Sequence, residues 1–154
     1  MMIALSMITV AFLGIATLLS QSFFLNRAAT NETIASYLAA EGIEITKNII
    51  DNDVYGNPLP ETKLAWGDCC ATGNYTVEYD STALSLGNRG VPLKFDPTKG
   101  YQYNTGNTTP FSRMIRITLS TASEIDVQSV VTWSTGPLTN ETVTDEDHFY
   151  DWHP

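Results

Sequence analysis

The first 26 residues, MMIALSMITVAFLGIATLLSQSFFLN, carry no charged side chain; the first charge is Arg27. Apolar residues lie on every side of a 3.6-residue period here, so the helix that this stretch predicts has no wet face. Beyond Arg27 the pattern changes. In AATNETIASYLAAEGIEITKNIIDND the residues Ile34, Leu38, Glu41, Ile45 and Ile49 recur at steps of four, three, four and four. With Gly42 in place of Glu41 the row is apolar throughout, and Tyr37 and Ala40 widen it, so residues 27–53 read as an amphipathic helix. No proline precedes Pro58, and nothing obliges the backbone to break before about Asp53. One helix is expected across both segments, roughly 75 Å long at 1.5 Å per residue.

Residues 54–73, VYGNPLPETKLAWGDCCATG, are rich in glycine, proline and short polar residues and read as a connecting loop, with Leu64 and Trp66 anchoring it to a core. After it the period becomes two. In EIDVQSVVTW the residues Ile125, Val127, Ser129, Val131 and Trp133 face one way, and Asp126, Gln128 and Thr132 face the other. RMIRITL repeats the alternation through Ile115, Ile117 and Leu119, leaving Arg113 and Arg116 for solvent or acidic neighbours. Residues 74–80 and 139–147 read as further strands, and LKFD with GYQY as a short pair. Turn residues separate them at Gly87 to Gly90, Pro97 to Gly100 and Gly136 to Pro137. Residues 74–154 are thus expected to form an antiparallel sheet of four or five strands. Its apolar face needs a cover, and Ile34, Leu38, Ile45 and Ile49 are expected to supply it against Ile117, Val127 and Val131. The fold class is α+β: a long N-terminal helix, its apolar first half protruding and its amphipathic second half packed on a small antiparallel head.

Residues 1–26 suffice to cross a bilayer, which takes about 20 apolar residues. A secretory signal would open with a basic region and stop after a short apolar core; this stretch does neither. Ser6, Thr9, Thr17 and Ser20 can bond back to their own helix and are compatible with an apolar surround. A helix apolar on all sides is solvated either by lipid or by other helices.

The formal net charge of -9 and a pI near 4.4 argue against nucleic acid or an anionic membrane surface as partner. No G-x-S-x-G, P-loop or dinucleotide fingerprint occurs, so no catalytic residue, cofactor or enzymatic activity is expected. Asp145, Glu146, Asp147, His148, Asp151 and His153 cluster in sequence near the C-terminus. Within that cluster Asp145, Asp147 and Asp151 are weak calcium candidates, since hard oxygen ligands suit that ion, and the alternative is a solvated acidic edge that discourages sheet-to-sheet pairing. Asp51 and Asp53 are a lesser candidate of the same kind. Cys69 and Cys70 are adjacent. A bond between neighbours is strained, which leaves separate thiols, a vicinal disulfide and an intermolecular link as alternatives. N-x-[ST] occurs at Asn31, Asn74, Asn107 and Asn140, candidate glycosylation positions.

The whole pattern resembles the type IV pilin and pseudopilin family. MMIALSMITVAFLGIATLL is similar to the apolar stretch that follows the processing site in prepilins. IASYLAAEGIEITKNIIDND and the terminal VTDEDHFYDW are similar to one group of bacterial pilin-like proteins. Mature family members begin with an N-methylated aromatic residue and carry a glutamate shortly before the apolar run. Neither is in this sequence, and the expectation is that a leader and the first mature residues precede Met1. The resemblance implies a structural subunit of an extracellular filament, held in the cytoplasmic membrane before assembly. Identical subunits, the pilus assembly machinery and a prepilin peptidase are then its partners. Ile3, Leu5, Ile8, Phe12, Leu13, Ile15, Leu18, Leu19 and Phe23 would line the filament core. Pilin helices in assembled bacterial fibres melt locally between a glycine and a proline; this chain has Gly14 but no such proline, so only a short loss between Gly14 and Thr17 is expected. Alternatives are a minor pilin or secretion pseudopilin, a membrane-anchored binding domain that never polymerises, and an anchored hydrolase, for which the sequence shows no site.

Overall fold

The computed structural model describes residues 2–56, 66, 70–87, 90–121, 123–135 and 140–151, with side chains from residue 7 onward and excepting residue 55. Helix α1 runs Met2–Asp51 and ends in a single wider turn, Asn52–Gly56. Its threonines are reconciled with the helix by bonding back to it. Thr17, Thr30, Thr33 and Thr46 each donate a hydroxyl, at 2.8 Å, to the carbonyl of Gly14, Asn26, Ala29 and Gly42 respectively. The chain divides into two compact units, Met1–Ile34 and Ala35–Pro154.

The second unit contains the remainder of α1 and one antiparallel sheet of seven strands, β1 (Gly73–Thr76), β2 (Ser85–Leu86), β3 (Pro92–Asp96), β4 (Gly100–Gln102), β5 (Asn107–Thr121), β6 (Glu124–Ser134) and β7 (Asn140–Tyr150). The 15-residue β5 is the hub. Along one edge it pairs first with β3, which leads to β4, and then with β1, which leads to β2. Along the other it pairs with β6, and β6 with β7. β3 and β4 are the short pair expected from LKFD and GYQY, and the strand not read from the sequence is β2, whose two residues are too few to leave a periodic signal. The β3–β4 hairpin turns where Asp96 Oδ1 accepts the amides of Thr98 at 2.8 Å and Lys99 at 3.2 Å. Gly100 follows at φ +77°, a left-handed conformation suited to glycine. Phe95 and Tyr101, directly opposite, bring their rings to 5.1 Å.

One face of the sheet carries the core: Ile115, Ile117, Ile125 and Val127 with Tyr75 and Val77, packed with Ile43, Ile49, Ile50, Trp66 and Cys70. The buried row of α1 is Ala35, Leu38, Ala39, Gly42, Ile43, Thr46, Ile49 and Ile50. Leu38 and Ile49 thus lie in it, while Ile34 and Ile45 sit half-buried on its flank and Tyr37 and Ala40 are exposed. The row is displaced because small residues lie at its centre. A Cβ on Gly42 would run into Ser129 Oγ and come within 2.9 Å of Ile115 Cδ1, so the helix backbone rests directly on side chains of the sheet there.

Of the two alternatives for Arg113, solvent or an acidic neighbour, the structure shows the second: its side chain is fully buried. The guanidinium donates Nη1 to the carbonyl of Leu38 at 3.0 Å and Nη2 to that of Val77 at 2.8 Å, and Nη1 stands 3.3 Å from Glu41. One cation therefore ties α1, β5 and the segment after β1 together. The alternation of RMIRITL already places Arg113 on the face of Ile115 and Ile117, and Glu41 is the acidic neighbour expected of it; the burial itself leaves no mark in the pattern, since a buried cation needs only partners.

Candidate functional site

From Met7 to Leu25 every side chain of α1 is exposed, the large apolar ones between 55% at Leu19 and 73% at Phe12. Ile8, Phe12, Leu13, Ile15, Leu18, Leu19 and Phe23 all belong to this surface; the side chains of Ile3 and Leu5 lie outside the described residues. The helix is long and apolar enough to cross a membrane. Exposed apolar patches of soluble monomers seldom exceed a few hundred Å², and this surface runs around the full circumference of about five turns. It is uninterrupted at Gly14, where Thr17 Oγ1 bonds the Gly14 carbonyl.

The acidic C-terminal cluster lies on β7, which pairs with β6 on one side, is exposed at nearly every position and is an edge of the sheet among the described residues. Register sorts its residues. Asp145 and Asp147 lie opposite Ser129 and Val127, and so share the face that carries the core. Each accepts the amide of the residue that follows it, Glu146 at 3.1 Å and His148 at 2.9 Å. Asp151 lies beyond the strand end, its amide bonded to the Ser123 carbonyl at 2.9 Å. The structure therefore does not bring Asp145, Asp147 and Asp151 into one group, because Asp151 lies past the end of β7, four residues from Asp147, and a strand rises about 3.3 Å per residue. His153 lies outside the described residues.

On the opposite face, a different set converges. Glu124, Asp126 and Gln128 of β6 stand across from Tyr150, His148 and Glu146 of β7. His148 Nδ1 is 3.1 Å from Glu124 Oε1 and its Nε2 is 3.2 Å from Glu146 Oε1. Gln128 Nε2 donates to Glu146 Oε2 at 2.9 Å, and the Tyr150 hydroxyl to Glu124 Oε1 at 2.9 Å. That hydrogen bond is the main cause that lifts the Tyr150 phenol above its ordinary range. Arg116 of β5 donates to Gln128 Oε1 at 3.3 Å. The residues missed in the sequence are Glu124 and Asp126. The period-two reading of EIDVQS puts both on the polar face; what it lacks is the β6–β7 register.

Asn74, Asn107 and Asn140 are exposed at or near strand starts, and Asn31 is half-buried on α1. Asp51 is exposed at the end of α1, and burial raises the carboxyl of Asp53. Cys70 is buried in the core cluster, whereas Cys69, Leu64 and the turn at Gly136 and Pro137 lie outside the described residues. No family model, curated protein or solved structure matches this chain.

Proposed function

We propose that this chain is a structural subunit, a pilin, of a type IV pilus-like extracellular filament that is inserted in the cytoplasmic membrane and then polymerises through the apolar part of α1. The observation that carries the reading is the bare apolar circumference from Met7 to Leu25. In a bilayer that surface is solvated by lipid. Outside one it must be covered by something equally apolar, and parallel copies of the same helix satisfy the requirement at every level. A contact between different surfaces of neighbouring copies, repeated by a screw operation, gives an open filament. The acidic, polar sheet then forms the outer surface, where its net charge keeps fibres apart. A second reading, a membrane-anchored head that never polymerises, is supported by the same helix, whose length and composition suit a single span.

Self-association separates the two. Surface filaments sheared from the producing cell and imaged should consist of this chain, and a chain that stays monomeric in every detergent and yields no fibre is an anchored domain. Leu13→Asp should abolish filaments while the chain remains in the membrane fraction with a folded head, because a charge in the middle of such a core costs about 3 kcal/mol per subunit or more. Normal filaments from Leu13→Asp would remove this segment from the core.

A further inference from the structure

We propose that Asp126, Glu146 and His148 form a divalent transition-metal site on the outer face of β6 and β7, with zinc as the ion that fits best. Each residue offers one ligand atom, and the three atoms lie within 4.8 Å of one another. Zinc bonds to nitrogen and carboxylate oxygen measure 2.0–2.2 Å, which puts two ligands of one ion at most roughly 4.4 Å apart. Small side-chain rotations close the difference.

Proximity of acids is common on exposed sheets, and the proposal rests on what surrounds these three. Oδ1 of Asp126 is shut off from solvent and has no hydrogen-bond partner among the described residues. An anionic oxygen in that condition calls for a cation or a donor. His148 already has the arrangement typical of a ligating imidazole: with Nε2 directed at Glu146, the opposite nitrogen Nδ1 faces Glu124 at 3.1 Å. A carboxylate on the far nitrogen fixes the tautomer that leaves Nε2 for the metal. Glu146 is held likewise, its second oxygen receiving Gln128 Nε2 at 2.9 Å. Two ligands therefore have outer partners in place, and the third has an oxygen in want of one. Three carboxylates, Glu124, Asp126 and Glu146, stand around a single histidine, and the Arg116 guanidinium reaches only as far as Gln128. A bound dication relieves that excess of negative charge. The donor set of one nitrogen and two oxygens suits zinc better than calcium, which takes six to eight oxygens. The fourth position falls to water. The site bridges the last two strands, so an ion there would pin the exposed edge strand to its neighbour. The inference is independent of polymerisation.

The test uses the full-length chain, without a polyhistidine tag, in detergent micelles titrated with zinc chloride, calcium chloride or magnesium chloride in a calorimeter. One equivalent of zinc should bind, at least tenfold more tightly than calcium. His148→Gln, Glu146→Gln and Asp126→Asn should each weaken it by about 10-fold or more, and Glu124→Gln, as an outer-shell change, by about 10-fold. Asp145→Asn and Asp147→Asn, on the other face, should bind as the unaltered chain does. X-ray absorption of the zinc-loaded chain should show one imidazole in an otherwise oxygen shell. The proposal is overturned if zinc fails to bind below roughly 100 µM, or if binding survives His148→Gln. Loss in Asp145→Asn or His153→Gln in place of His148→Gln also overturns it, as would calcium binding more tightly than zinc.

Discussion

Replacing Arg113 by alanine should destabilise the head more than any surface change, and the structure gives the size of the effect. The substitution removes charge-assisted bonds to two backbone carbonyls, those of Leu38 and Val77, each worth about 1.5–3 kcal/mol in net terms. The third contact, to Glu41, counts for less. That carboxylate is 35% exposed, so water competes with the guanidinium and the pair contributes no more than about 1 kcal/mol. Against these gains stands the cost of keeping a guanidinium out of water, several kcal/mol, which the alanine variant no longer bears. What Arg113→Ala leaves behind is two carbonyls short of a donor, at about 1–3 kcal/mol each, and the void of a wholly buried side chain, which together put the cost at about 3–5 kcal/mol. Arg113→Met refills the volume and should cost about half as much. Arg116→Ala is the control, an exposed arginine on the same strand whose loss should stay within about 0.5 kcal/mol.

Urea unfolding of the full chain in micelles, followed by tryptophan fluorescence, reads these differences, since Trp66 and Trp133 are buried in the same unit as Arg113. For a unit of this size each kcal/mol moves the melting temperature by roughly 4 °C, so Arg113→Ala should melt more than 10 °C lower. Equal midpoints for Arg113→Ala and Arg116→Ala would refute the clamp. Glu41→Gln supplies a sharper check: if it costs as much as Arg113→Ala, the ion pair holds the helix and the carbonyl bonds do not.

The glycines of α1 should respond oppositely to alanine. Both substitutions gain about 1 kcal/mol of helix propensity; at Gly14 the new Cβ meets open space, whereas at Gly42 it meets Ser129 and Ile115, where overpacking costs about 1–3 kcal/mol. Gly42→Ala should lower the melting temperature and Gly14→Ala should not, and a rise in Gly42→Ala would contradict the close approach. Burial raises the Tyr103 phenol, whose hydroxyl donates to the Arg113 carbonyl at 2.9 Å. A raised folded-state value means stability fully present below the ordinary tyrosine range and lost as pH climbs through the raised one. Denaturation midpoints should therefore fall as pH rises above about 10, less steeply in Tyr103→Phe; Tyr75 and Tyr101, raised by burial too, keep part of the slope. An undiminished slope in that variant would show that Tyr103 carries none of it.

Much of the fold was legible because its elements are long and periodic. α1 carries two long helical patterns and β5 and β6 one alternation each, and that of β6 from Ile125 to Trp133 matches its buried and half-buried positions residue by residue, apart from Val130. Val130 is buried although it points away from the core; it stands opposite Met114, which is buried as well, and no periodicity announces cover on a second face. In the helix row Leu38, Gly42 and Ile49 are buried, while Ile34 and Ile45 yield the deepest places to their neighbours Ala35 and Thr46, because small side chains let the helix lie close to the sheet. The metal group escaped for another reason. Asp126 and His148 are 22 positions apart and meet only through register, whereas Asp145 and Asp147 are neighbours in sequence that point to the wrong side of the strand.

At Gly14 resemblance and energetics pull apart. In the single chain the helix passes through Gly14 without interruption and Thr17 spends its hydroxyl on the Gly14 carbonyl. Glycine weakens a helix by about 1 kcal/mol, against about 3 for the proline that this segment lacks. Opening the turn would also strip backbone groups of their partners in an apolar surround, at about 1–3 kcal/mol each. Local sequence therefore supplies only a small part of the cost of melting, and the rest would have to come from packing against neighbouring copies. Gly14 does permit one thing directly: with no Cβ it lets another helix come close, as Gly42 lets the sheet come close to the same helix. In a filament the two glycines of α1 would then serve one purpose at two levels, Gly42 seating the helix on its own head and Gly14 seating it among its neighbours.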